Sequence, residues 1–163
     1  MTPWQKGFRL YQQARNHQYG FGGIRRDRAL SRSLYAKAAV EFRKAASHGV
    51  AVAQLYLGIC LLNGLGVPRD GAQALMWFSK AAQGRGGVAK NAFLQIGLMY
   101  LNGTAIRKDP AKAVTWFRKG VRRGSGDCNQ YLAFCYLKGK GVEKDATRAD
   151  RMLKQPGHRT TRK

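Results

Sequence analysis

The chain has 163 residues, 44% of them hydrophobic, and carries 30 Lys and Arg against 8 Asp and Glu, a formal net charge of +22. That length and apolar content suit one folded domain with its own core, and the charge points to an anionic partner: an acidic protein face, nucleic acid or an anionic surface. Arginine bias in the genome or a need for solubility would leave the same charge signature.

No run approaches the ~20 consecutive apolar residues of a membrane-spanning helix, which excludes channel and transporter classes built from such helices. The N-terminus lacks an apolar core and a small-residue cleavage site, so no secretory signal is expected. Residues 1–26 hold five basic groups and no acid, as a mitochondrial transit peptide would, but they also hold no serine. A cytoplasmic location is expected, with the mitochondrial matrix as the alternative.

In chain order, Trp4, Phe8, Tyr11 and Ala14 recur at helical spacing and predict a helix over 3–19. Gly20, Gly22 and Asp27 mark a turn, and a second helix runs from about Arg28 to Ser47. From Asp27 to Gly49 is 22 residues, against 14 from Asp70 to Gly84. The excess predicts either two extra helical turns or a kink near Ser31–Ser33. The segment carries Arg28, Arg32 and Lys37, and reads as an end cap of an array or as a docking face.

An apolar run, Leu55 to Asn63, comes next, then Gly64-Leu65-Gly66-Val67-Pro68-Arg69-Asp70, then Ala74, Trp77, Phe78, Lys80, Ala81 and Ala82. The pattern returns 39 residues later at Gly103 to Asp109 with Ala113, Trp116, Phe117 and Lys119. It returns 36 residues after that at Gly139 to Asp145 with Ala149, Met152 and Leu153. A fixed period in the thirties means a repeat array. In each unit a first helix ends on a glycine able to take positive φ. Val67, Ile106 and Val142 then fold back over the turn as apolar plugs. Asp70, Asp109 and Asp145, with Asp27 in the matching place, accept from the free amides of the second helix. Pro110 fits the first helical position, where its missing N–H costs nothing.

These residues resemble the Sel-1-like repeat, a short relative of the tetratricopeptide repeat. The resemblance rests on Ala53 to Gly58, Gly64 to Asp70 and Ala74 to Ala82, and spans roughly residues 50–154. Ala105 replaces the second glycine of the middle turn, and Ala133 replaces the first-helix glycine of the last unit. The resemblance implies an all-α fold: a right-handed superhelical α/α solenoid of antiparallel helix pairs, in about four units, serving as an interaction scaffold. The units are a degenerate first repeat with a long second helix (1–49), repeats over 50–84, 88–124 and 125–154, and a basic tail over 155–163. Gly84-Arg85-Gly86-Gly87 reads as a flexible joint.

No catalytic constellation is legible. The three histidines lie in separate segments, so no metal site or cofactor is expected. Cys128 and Cys135 are seven apart on one helix, too far for a disulfide. Together with Cys60 they read as buried, reduced thiols.

Two surfaces are candidates for a partner. In tetratricopeptide-like solenoids the first helix of each pair lines the concave face. The positions there are Tyr56, Leu62 and Asn63; Gln95, Leu101 and Asn102; and Tyr131, Leu137 and Lys138. This aromatic, aliphatic and amide stripe suits a peptide, unless those side chains pack against the next pair. The second surface is basic. It comprises Arg25, Arg26, Arg28 and Arg32 near the N-terminus, Lys112, Arg118, Lys119, Arg122 and Arg123 in the middle unit, and Lys140, Lys144, Arg148 and Arg151 in the last. Residues 1–49 carry a net +8, residues 50–100 +3 and residues 101–163 +11, so the charge sits in two lobes. An adaptor gripping an acidic protein fits best, in one form a bacterial immunity protein against a secreted effector; nucleic acid or the ribosome is the alternative anionic partner.

Overall fold

The structure, a computed structural model, describes residues 1–154. The expected tail at 155–163 lies outside the described residues. Those described form eight α-helices and one short 3-10 turn, with no strand: α1 Pro3–Tyr19, the 3-10 turn Phe21–Gly23, α2 Arg28–Ser47, α3 Ala51–Asn63, α4 Gly71–Ala81, α5 Gly86–Asn102, α6 Pro110–Arg122, α7 Gly126–Lys138 and α8 Ala146–Lys154. They fall into two compact units, one running to residue 81 and the other beginning at residue 82. In the first, α1 packs on α2, α2 on α3 and α3 on α4; in the second, α5, α6, α7 and α8 pack successively in the same way.

One local device, repeated, produces the hairpins. The odd-numbered helices end on Gly20, Gly64, Gly103 and Gly139, all left-handed with φ of 76°, 68°, 73° and 65°. The chain then folds back: Leu65, Thr104 and Lys140 donate their amides to the carbonyls of Cys60, Met99 and Cys135, at 2.9, 3.1 and 2.9 Å. The amide of each coming cap is tied to the finished helix too: Asp27 to His17, Asp70 to Leu61, Asp109 to Tyr100 and Asp145 to Tyr136. The four aspartate side chains then accept from Leu30, Gln73, Lys112 and Arg148 amides, at 2.8 to 2.9 Å. The caps are where the sequence puts them. Val67, Ile106 and Val142 are half-buried over these turns.

Between paired helices the core is built from a glycine facing a phenylalanine. The Phe42, Phe78 and Phe117 side chains are fully buried. Their rings press on Gly7, Gly58 and Gly97, where a Cβ would meet ring carbons at less than van der Waals distance. Small residues around them, such as Ala38, Ala74 and Ala113, are also sealed and let the helices approach closely. At the corresponding positions of the last repeat stand Ala133, which is buried, and Leu153, which is exposed.

The excess length near the N-terminus is helix: α2 has 20 residues against 11 in α4, with no kink near Ser31–Ser33. Two of the expected features differ. Gly86 and Gly87 open α5 rather than form a joint. Leu62 and Leu101, expected on an open face, are 7% and 4% exposed. They stand near the ends of α3 and α5, where both sides of the helix are covered. Cys60, Cys128 and Cys135 are free and fully buried. Burial pushes the Cys60 thiol up to about 12 and raises the other two as well.

Candidate functional site

Within each unit the residues of the expected peptide stripe divide between buried and exposed positions. In unit 1, Tyr56 of α3 stacks on Phe42 of α2, with ring centres 5.3 Å apart, and meets Phe8 and Tyr11 of α1 edge-on. In unit 2, Tyr131 of α7 stacks in the same way on Phe117 of α6, at 5.6 Å. Both tyrosines therefore serve the seam where one hairpin packs on the next. Tyr131 keeps 36% of its surface and Leu137 41%. Asn63 and Asn102 are exposed at helix ends, and Asn63 is spent on the carbonyl of Ile59 in its own helix. Gln95 is half-buried and Lys138 exposed.

The basic residues divide by what holds them. Lys119 lies over the Trp116 ring at 4.1 Å, and Lys80 lies over Trp77 at 4.5 Å, the same pair one repeat earlier. Lys140 covers Phe134, and Lys112 covers Tyr100 while pairing with Asp109 at 3.3 Å. Arg25, Arg122, Arg123 and Arg151 are exposed. So is Arg26, whose Nε donates to the Tyr19 carbonyl at 3.2 Å.

The remaining basic residues meet in two clefts, each beside a glycine turn. In unit 2, a cleft of about 450 Å³ is lined by Arg118, Tyr136, Val142, Glu143, Lys144, Asp145 and Arg148. Tyr136 organises it: Arg118 donates to the phenol oxygen at 2.9 Å, and the Arg148 guanidinium lies 4.5 Å from the ring centre. In unit 1, a cleft of about 220 Å³ is lined by Gln18, Arg28, Ser31, Arg32, Tyr35 and the turn Gly64–Gly66. Here Tyr35 donates to Gln18 Oε1 at 2.7 Å, and Ser31 to the buried Ala14 carbonyl at 2.9 Å. Burial raises the Tyr35 phenol pKa well above its ordinary value, so it stays a neutral hydroxyl. Sequence reasoning missed Gln18, Tyr35 and Tyr136. Aligning the turns would have flagged Tyr136, which falls at the position of Tyr100; Gln18 and Tyr35 reach the cleft only through the α1–α2 packing.

The carboxylates have little left to offer. Beside the four caps, Glu41 lies between Lys6 at 3.1 Å and Lys44 at 3.6 Å, and Asp150 pairs with Lys154 at 2.6 Å. The Lys6 hydrogen bond holds the Glu41 pKa below the usual carboxylate range.

The four-hairpin arrangement is mirrored in the family comparison, where the Sel1 repeat model matches residues 14–39, 51–85, 94–125 and 127–154, well over half of the chain. The chain belongs to the Sel1 repeat family. Among solved structures, a Sel1 repeat protein from Oxalobacter formigenes matches with a TM-score of 0.67 and 25% identity over 92% of this chain and 72% of that one. A second, c5321, is a protective antigen of uropathogenic Escherichia coli displaying an SLR fold. It matches with a TM-score of 0.66 and 26% identity over 92% of this chain, which spans only 38% of its length. No protein among curated sequences matches. Sel1 repeat proteins are generally protein–protein interaction scaffolds. No helix among the described residues is long and apolar enough to cross a membrane.

Proposed function

We propose that this Sel1 repeat protein is a non-catalytic adaptor whose exposed cations hold an acidic segment of a partner protein. One observation carries the reading. Most carboxylates are committed to helix caps and local ion pairs, while Arg28, Arg32, Arg122, Arg123 and Arg151 stay exposed. Such a surface speeds the encounter with an acidic partner and disfavours basic ones. An immunity protein neutralising an acidic effector is one form this would take. Nucleic acid is the other anion to weigh, but the ring faces of Tyr56 and Tyr131 that would stack bases are already engaged on Phe42 and Phe117.

The test is fluorescence anisotropy with a labelled glutamate-rich peptide and a labelled single-stranded RNA, each at 100 and 500 mM salt. The adaptor reading expects peptide binding at the lower salt that weakens at the higher, with RNA bound less tightly. Tighter RNA binding with a steep log-linear salt dependence would overturn it in favour of a nucleic-acid protein.

A further inference from the structure

Glu143 and Asp145 line the unit 2 cleft, whereas no carboxylate lines the unit 1 cleft. We propose that it is a carboxylate-recognition pocket that takes one acidic side chain of the partner's segment, an assignment that rests on the adaptor reading and gives it a place.

The pocket exists because α2 is longer than the other second helices. Ala36 is the residue whose backbone lies against Gly66; Ala111 stands at the matching point of α6, against Gly141. Helix α6 begins at Pro110, next to that point, whereas α2 begins eight residues before Ala36, at Arg28. The extra turns stand beside the docked glycine turn and carry Arg28 and Arg32, one helical turn apart on the same face. Like charges at that spacing repel, and nothing acidic in the cleft relieves them. An entering carboxylate would. Each guanidinium is a rigid fork of donors that fits a carboxylate with two parallel hydrogen bonds.

The rest of the lining supports the same ligand. Gln18 receives the Tyr35 hydroxyl on its oxygen, which leaves its amide N–H groups as donors. Ser31 is tied to Ala14 and the wall at Gly66 is packed against Tyr35 and Ala36, so the shape is set before a ligand arrives. A volume of about 220 Å³ admits a side chain and excludes a folded surface. The α2 N-terminus is not itself the site, because Asp27 already occupies its Leu30 amide.

The experiment uses the full chain and a fluorescein-labelled hexaglutamate peptide at low salt. Arg28 and Arg32 are exposed, so R28A/R32A will fold, and a matching circular dichroism melt checks it. The charge-matched control is K140A/K144A. The pocket expects about a tenfold or greater loss for the first pair and less than about threefold for the second. Equal losses would overturn the pocket in favour of a diffuse field and leave the adaptor reading standing. No binding by the unaltered chain would remove both. Displacement of the peptide by millimolar inorganic phosphate, beyond the effect of chloride at equal ionic strength, would make this a phosphate site and overturn the carboxylate assignment.

Discussion

At the residue scale, the aspartate caps are both the most legible feature and a source of pH dependence. An aspartate just after a glycine turn is readable because the bond it makes is local, three residues along the chain. The amides of Gln73 and Lys112 hold the Asp70 and Asp109 carboxyls below their ordinary pKa, and Lys6 does the same for Glu41. A carboxyl depressed by folding stabilises the fold above its unfolded value, near pH 4, and that contribution disappears as the pH falls through the lower folded value. Urea midpoints are therefore expected to hold steady from pH 7 to about pH 5 and to fall below pH 4. The double variant D70N/D109N should show a shallower fall over the same acid range.

The turn glycines make a second residue-scale prediction. A Cβ at Gly66 would overlap the backbone of Tyr35 and Ala36, and one at Gly141 would overlap Pro110. Ala105 holds the equivalent place in the middle turn with φ of 60°, and its side chain is exposed. The exposed alanine still bears left-handed strain. Ala105→Gly is expected to stabilise the protein by about 0.5–1 kcal/mol, the strain relieved less the entropy that glycine loses. Gly66→Ala adds both strain and overlap and should cost at least about 1–2 kcal/mol. Chemical denaturation of the two variants checks the opposite signs.

At the scale of the element, the glycine–phenylalanine pairs hold each hairpin together. Gly97→Ala drives a methyl into the Phe117 ring and is expected to cost about 1–3 kcal/mol. Phe117→Leu alone leaves a void and costs a similar amount. Together the added methyl occupies part of the space that the shorter leucine vacates, so the double variant should be more stable than the sum of the single losses predicts. Helix boundaries were largely legible because glycine and aspartate punctuate every hairpin: α1 and α2 fall where the spacing of Trp4, Phe8 and Tyr11 and the Asp27 cap predict. The candidate face was not. Leu62 and Tyr56 look outward on a helix that buries one stripe, but α3 is packed on two sides, by α2 and α4. Periodicity separates core from surface only when one side of a helix faces water.

At the scale of the whole molecule, 30 basic groups against eight acids leave a net charge of +22 and strong self-repulsion. Salt screens that repulsion over about 10 Å at 0.1 M. The melting temperature is expected to rise between 50 and 500 mM sodium chloride, the opposite of the loss of acidic peptide binding over the same range. Calorimetry at both salts checks it, and a flat response would mean that the exposed cations are too well solvated to repel one another measurably. The charge itself was plain from composition; which cations converge was not, since Arg28 and Arg32 meet Gln18 and Gly66 only through the tertiary fold.

The three sealed sulfurs have a practical corollary. A maleimide dye will find nothing to attack on the native exterior, because every thiol is enclosed and held in its unreactive protonated form. Ser33→Cys, exposed next to Arg32, would then be the single addressable handle on the chain. A fluorophore there would sense occupancy of the neighbouring hollow while every native arginine stays in place.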